Sequence, residues 1–368
     1  MNFIKQKDKY FVWILAPYLD TPDPNLQYYY DYTESKLEYT RAFDEIGCQW
    51  DWLNVRITEV DAAIEKVKSQ KELVNIFINL CDGDEINGVP GVSVIEALER
   101  HDITYTGSKE HFYRITTSKI PMKEAFDACG VPTAPWKVID GTHTPLNLFE
   151  EIAPVLIVKP AISAGSMGLG LKNVVTNQPE LESILKEMRA GYHGWNVDAG
   201  GIFIEAFVQG REFTTFVVGS TSNPGHIHVY TPVERVFHDS LPARERFLSF
   251  DRLWSLFDKE QPIVNDGNLY DYHAVPESLV PQLKQISLEA FKSVGGTGYG
   301  RLDIRMDEQT GKFYVLEINA QCGLSENEDH TSIGAILRFD KKSFTYLTIE
   351  IIEDALMCHD MKAKTLNL

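Results

Sequence analysis

The chain reads as an α/β protein with α+β elements: an N-terminal open sheet covered by helices, followed by two smaller mixed units. Three observations predict this. Phe11–Leu15 and Val74–Leu80 are continuous apolar runs, the pattern of parallel strands buried on both faces. Helical patterns at Glu34–Ile46, Asp61–Ser69 and Val92–Arg100 alternate with them, as in a sheet wound by crossover helices. The prolines of Val131-Pro132-Thr133-Ala134-Pro135 then interrupt the pattern and mark a boundary.

Each element follows in order. The apolar run Tyr10–Tyr18 comes after Lys5, Lys7 and Lys9 but is too short to span a bilayer. Asp20 follows it without a small-residue cleavage site, so the run is a buried first strand of a cytoplasmic protein. The strand ends near Ala16–Asp20 and Cys81–Gly88 are where such a sheet binds ligands. Lys119–Gly130 is a helix leading to the proline boundary. A smaller unit follows, with strands at Trp136–Ile139, Val155–Lys159 and Leu171–Val175. Phe203–Val208 opens the last region and Thr214–Gly219 is its next strand. Residues 234–272 lack strong periodicity, and a segment of that length inside a compact domain reads as a functional lid with one short helix. Pro276–Gly295 is a helix, a hairpin succeeds it, and Phe344–Met357 is a terminal helix. These elements divide the chain into regions 1–115, 116–202 and 203–368.

With 368 residues, 43% of them hydrophobic and 24% charged, the chain can build a substantial core and is not disordered. A formal charge of −18 argues against nucleic-acid binding, which needs clustered Lys and Arg, yet leaves room for a phosphate ligand held by a few local cations. Cys48, Cys81, Cys129, Cys322 and Cys358 are widely spaced with no C-x-x-C pair, as expected of reduced thiols.

The chemistry concentrates near the C-terminus, in GRLDIRMDEQTGKFYVLEINAQCGLS. Side chains at i and i+2 share a strand face, so Asp303 lies with Arg301 and Arg305, while Glu317 lies with Asn319. Asp303, Glu317 and Asn319 can converge, and such hard oxygen ligands suit Mg²⁺ beside substrate phosphates. The same alternation also fits an amphipathic hairpin with a merely wet face. Further upstream, Lys159-Pro160 ends a strand and enters the small-residue loop Ala161–Gly170, whose backbone N–H groups can approach an anion closely. It contains no Walker motif or dinucleotide fingerprint. Phe203–Val208 followed by Gln209–Phe213 suggests an apolar segment able to hold an adenine edge, with Glu212 placed toward ribose hydroxyls, although taken alone it reads better as a domain-crossing strand with surface carboxylates.

In this order, ITYTGSKEHFYRITTSKIPMKEAFDACGVPTAPW, LIVKPAISAGSMGLG, FIEAFVQGREFT and GRLDIRMDEQTGKFYVLEINAQCGL resemble the ATP-grasp superfamily, most closely its D-alanine–D-alanine ligase branch. The resemblance runs from about Leu80 to Leu337. It implies that Lys119, Lys159 and Ser166 contact ATP phosphates. The Ala206 and Val208 backbone, beside Glu205, would hold adenine, and Glu212 the ribose. Asp303, Glu317 and Asn319 would carry two Mg²⁺ ions, with Mn²⁺ an acceptable substitute. Arg301 and the Gly323 amide would stabilise an oxyanion, and Arg244 or Arg246 would take the place of a lid lysine at the γ-phosphate.

The implied reaction is ATP-dependent carboxylate–amine ligation through an acyl phosphate, releasing ADP and phosphate. The implied partners are a small-molecule acid and amine and, at most, a second copy in a homodimer; no membrane is involved. Two departures concern the substrate. The first turn, Ala16-Pro17-Tyr18-Leu19-Asp20-Thr21-Pro22, has no glutamate in register, leaving Asp20 or Glu34 as substitutes. After Gly323 the family's serine–leucine pair is replaced by Glu326-Asn327-Glu328-Asp329-His330, unless Thr331-Ser332 takes over its work. The expectation is therefore a ligase for an amino acid or related metabolite other than a D-alanine pair. The alternatives are a D-alanine–D-alanine ligase proper or a non-catalytic ATP-binding regulator.

Overall fold

A computed structural model describes residues 2–22, 27, 30–68, 72–86, 88–141, 146–163, 165–192, 195–254, 260, 267–328 and 331–366. Among them, three sheets form. The first joins β1 (Tyr10–Pro17), β2 (Gln49–Val55), β3 (Val74–Asn79) and β4 (Thr104–Tyr105) in the parallel order β2-β1-β3-β4. Its central strands are buried on both faces. Val12, Ile14, Ile76 and Ile78 meet Tyr39 and Phe43 of helix Thr33–Ile46. Trp13, Leu15 and Phe77 meet Ile64, Val94 and Leu98 of helices Val60–Lys68 and Val92–Arg100. β2 escaped the sequence reading because it is a half-exposed edge strand that mixes two tryptophans with polar residues.

The second sheet is antiparallel, with β5 (Trp136–Ile139), β6 (Leu156–Pro160), β7 (Val174–Val175) and β8 (Ile202–Ala206) in the order β5-β8-β6-β7. Two expectations are corrected. Leu171–Asn173 is a 3₁₀ turn, and only Val174–Val175 is strand. The cause is Asn173, buried with its amide donating to the carbonyls of Val158 at 2.7 Å and Gly168 at 3.0 Å. The segment from Phe203 does not open the last region. β8 pairs with β5 and β6, so the expected boundary at 202/203 cuts a central strand, and the passage between sheets falls after Ala206.

The third sheet carries β9 (Gly210–Val218), β10 (His228–Val229), β11 (Val233–Phe237), β12 (Tyr270–Ala274), β13 (Tyr299–Asp307) and β14 (Phe313–Ala320) in the order β12-β11-β9-β13-β14, with β10 added on β9. The segment expected to be irregular from 234 to 272 thus begins and ends in paired antiparallel strands. Its charged Glu234 and Arg235 hide the strand period. Between them lie a 3₁₀ turn at Ala243–Glu245 and a short helix at Phe250–Trp254; residues 255–259 and 261–266 fall outside the described residues. Helix Val280–Ser293 packs Leu283, Ile286, Ala290 and Phe291 beneath the sheet, shorter at both ends than expected. The terminal helix runs to Leu366 and returns to the first sheet, where Phe344 meets the Tyr39 ring edge-on at 5.1 Å.

Among the described residues no helix is long and apolar enough to cross a membrane, and the five cysteines are free.

Candidate active site

The cleft between the second and third sheets is lined by Lys119, Lys159, Ser166, Glu205, Ala206, Val208, Glu212, Asp303 and Glu317, all named above from the sequence. Ile157, Leu169, Phe207, Phe247, Leu248 and Leu316 supply its apolar walls, and Arg235 and Arg305 complete it.

The hairpin floor follows from strand alternation. In the β13–β14 register Asp303 faces Glu317 and Arg301 faces Asn319, so all four side chains share one face. Glu317 Oε2 lies 3.2 Å from Lys119 Nζ, and Glu317 Oε1 accepts from the Asn319 amide at 3.1 Å. Burial alone would push this carboxyl up, but Lys119, the Asn319 amide and Lys159 together bring it down to about 2. Asp303 accepts from Thr214 Oγ1 at 2.9 Å. Among the described residues no three His, Cys, Asp or Glu side chains gather as a metal cluster; the candidate ligands are two carboxylates and a carboxamide. This all-oxygen set of adjacent register partners fits Mg²⁺, which takes few protein ligands and completes its shell with water and phosphate.

The roof comes from the second sheet. Lys119 opens helix Lys119–Cys129 and also donates to the carbonyl and hydroxyl of Ser163 at 3.0 and 3.1 Å, inside the glycine loop. Lys159 on β6 pairs with Glu205 on β8. Sequence reasoning missed the third member of this group. Lys123 is fully buried, with Nζ 2.6 Å from Glu205 Oε2 and 2.6 Å from Thr133 Oγ1. Its signal was the i,i+4 spacing from Lys119 on one helix face. Burial raises the Glu205 carboxyl, but Lys123 and Lys159 outweigh it and hold it below its usual range.

At the hinge, the Ala206 N–H donates to Pro135 O at 2.8 Å. Pro135 has no N–H to return, so that strand leaves the Ala206 carbonyl without a donor. The Val208 carbonyl accepts from Arg305 at 2.9 Å, which leaves its N–H as the group to offer a ligand.

Glu212 lines the cleft with Arg235 at its Oε1 and Arg305 donating to its Oε2 at 2.8 Å, and each oxygen keeps a further lone pair. One expected contact is corrected. Arg246 does not face the cleft. Its guanidinium caps its own loop, donating to Leu241 O at 3.0 Å and Asp239 O at 3.2 Å, while its carbonyl accepts from Arg305. Arg244 lies in the electrostatic range of Glu180 on the second sheet's helix. Arg235 and Arg305, both strand residues, were missed as cleft residues because alternating charge on a strand looks the same exposed or buried.

Arg301, Asn319 and Gly323 lie beyond the cleft lining, toward the first sheet. There Gln321, at φ 57°, fixes the loop before Gly323. Its Oε1 accepts from Ser108 N at 3.0 Å, and its amide donates to Asn79 O and to Tyr299 OH at 3.1 Å. Gly107 lies against the Gln321 amide at φ +93°, a backbone conformation that L side chains rarely adopt.

Comparison with known proteins identifies the family. The family model for the D-alanine–D-alanine ligase C-terminus matches residues 125–333. The D-alanine–D-alanine ligase of Nitrosococcus oceani is 25% identical over 299 residues, covering 81% of this chain and 82% of the relative. That of Acinetobacter baylyi is 26% identical over 303 residues, covering 81% and 85%. Among solved structures, the D-alanine–D-alanine ligase from Bacillus anthracis complexed with ATP superimposes with TM-score 0.67 at 15% identity, covering 96% of this chain and 99% of that one. The enzyme from Coxiella burnetii gives 0.66 at 15% identity, covering 98% of each chain. At that identity the structures speak for the fold alone, which is ATP-grasp. The matched family model spans more than half of the sequence, so the chain belongs to the D-alanine–D-alanine ligase family, ATP-dependent enzymes that form carbon–nitrogen bonds.

Proposed function

We propose that the chain activates a substrate carboxylate with ATP and passes the acyl group to an amine, giving an amide, ADP and phosphate. The observation that carries this reading is the single cleft shared by Lys119, Lys159, Asp303 and Glu317, with the Ala206–Val208 hinge at one end. Adenine would sit against Ile157, Leu169 and Phe207, reading the Ala206 carbonyl and the Val208 N–H. Lys119, Lys159 and the Ser166 loop would orient the polyphosphate. Asp303, Glu317 and Asn319 would hold Mg²⁺, which supplies charge neutralisation for phosphoryl transfer when bound. The substrate carboxylate oxygen attacks the γ-phosphorus and ADP leaves. The amine then attacks the acyl carbon and expels phosphate, with Arg301 facing the developing oxyanion. Phe247 and Leu248 help keep water from the acyl phosphate.

For the substrate we favour an amino acid or related metabolite other than two D-alanines. Asp20 is exposed and within 3.7 Å of Arg56, which turns it from the role of amine acceptor at the first turn. Asp82 at the end of β3 is the alternative carboxylate, pushed up to about 6 by burial, with Arg301 in range to counter it. The acidic segment after Gly323 is less repulsive than its sequence suggests, because Glu326 pairs with Arg41 at 2.6 Å and Glu328 with Arg338 at 2.6 Å. Asp329 and His330 lie outside the described residues. The D-alanine pair stays as a second reading, favoured by the named relatives and by Ser332, whose buried hydroxyl at a helix start has no partner.

Incubation of the purified chain with ATP, Mg²⁺ and a panel of amino acids, followed by ADP assay and mass spectrometry, tests both levels. No ADP with any acid–amine pair overturns the ligase reading. D-alanyl-D-alanine as the sole product overturns the substrate reading alone.

A further inference from the structure

The two guanidiniums that share Glu212 are not equivalent. Arg305 is fully committed: Nε donates to Glu212, Nη1 to Val208 O and Nη2 to Arg246 O. Arg235 is not. Its side chain is 4% exposed, Nη1 is held by Glu212, Nη2 reaches Tyr272 OH at only 3.4 Å, and Nε is buried without a partner. Asp303 is 3.6 Å from Nη1, beyond hydrogen-bond reach, and is already engaged by Thr214. Glu212 is therefore shared by two buried arginines, with Asp303 adding only a longer-range charge to Arg235, and Arg235 keeps one unused donor beside the cleft. The Tyr270 and Tyr272 rings, with centroids 5.2 and 5.7 Å from the guanidinium carbon, hold Arg235 in place.

Burying a charged donor without a partner is costly unless a ligand supplies one. Lys119, Lys159, Arg235 and Arg305 line the cleft with Glu205, Glu212, Asp303 and Glu317, so a divalent cation on Asp303 and Glu317 would leave the surplus charge positive and the ligand an anion. Resting on the ATP-ligase reading, we propose that Arg235 contacts the polyphosphate tail of the nucleotide, a task that the resemblance implied for Arg244 or Arg246. The arginine thus comes from a rigid strand of the sheet and not from the covering loop. Arg305 is a positioning residue that ties Glu212, the hinge and that loop together.

The test is calorimetric binding of ATP, ADP and AMP in Mg²⁺ to the full chain and to its Arg235→Met and Arg235→Lys variants. Loss of a charge-assisted contact should weaken ATP about 10–100-fold in Arg235→Met while AMP changes by less than about threefold, with partial recovery of ATP binding in Arg235→Lys. Equal weakening of all three nucleotides would mean that Arg235 acts only by holding Glu212, and unchanged ATP binding would remove it from the site; either outcome overturns the proposal. Should Arg235→Met fail to fold, Arg235→Lys decides by the same ATP-to-AMP comparison. A wild-type chain that binds no ATP refutes the ligase reading itself, a separate result.

Discussion

Lys119 Nζ and Glu317 Oε2 stand 3.2 Å apart, joining the first residue of helix Lys119–Cys129 to the last strand of the third sheet. This contact makes the cleft one electrostatic unit, because the same ammonium also holds the glycine loop through Ser163.

Replacing Glu317 by Gln should remove the ionised carboxylate while keeping the side chain's shape. Turnover, read as ADP release with saturating substrates, is expected to fall by at least about 10²–10³-fold. Glu317 is partly exposed, so the loss of stability should stay within about 1 kcal/mol in a denaturant titration. Retained activity would end its assigned role.

Glu205 is a different matter, since it is almost completely buried between Lys123 and Lys159. Glu205→Ala strands both ammoniums in the interior and should destabilise the chain by about 3–5 kcal/mol. Urea unfolding measures this, and a loss below about 1 kcal/mol would show that the three charges are not coupled.

Gln321 links Ser108 and Asn79 of the first sheet's region to the loop that presents Gly323. Gln321→Leu leaves the Ser108 N–H and Asn79 carbonyl buried without their partner, at about 1–3 kcal/mol each. Slower turnover with unaltered ATP affinity is the expected kinetic signature, because the loop lies outside the nucleotide cleft. Weakened ATP binding would contradict that separation.

Asp354 provides a pH signature in the terminal helix. Burial, with Glu350 adding to it, raises its carboxyl from 3.8 to about 7 against the pull of Lys109 and the Cys358 thiol. Between those values the folded chain keeps a proton that the unfolded chain has lost, so this group's contribution makes stability fall as pH rises through the window. Asp354→Asn should flatten the fall by on the order of 2–4 kcal/mol between pH 4 and 8. Parallel pH profiles for variant and wild type would exclude Asp354 as its source.

Local periodicity carried much of this fold. The buried strands Val12–Leu15 and Ile76–Ile78 announce themselves by uninterrupted apolar residues, and the hairpin face of Arg301, Asp303, Glu317 and Asn319 by a period of two. What periodicity could not deliver was partnership. β8 reads as a strand in isolation, yet only its hydrogen bonds to β5 and β6 assign it to the second sheet. Arg235 and Arg246 are both arginines in a charged, weakly periodic stretch, and nothing local says that one enters the cleft while the other caps its own loop.

By itself, the sequence determined most element types, the family resemblance and a hairpin face with two carboxylates and a carboxamide, because these rest on neighbours a few residues apart. Only the tertiary structure decided which cations meet in the cleft, which carboxylates are already occupied and how Lys123 is satisfied. Those outcomes depend on burial and on charges brought together from distant segments, such as Lys123 with Glu205 and Glu212 with Arg305. A buried charge takes its partner from whatever the packed sheets place beside it, and short-range sequence order does not encode that choice.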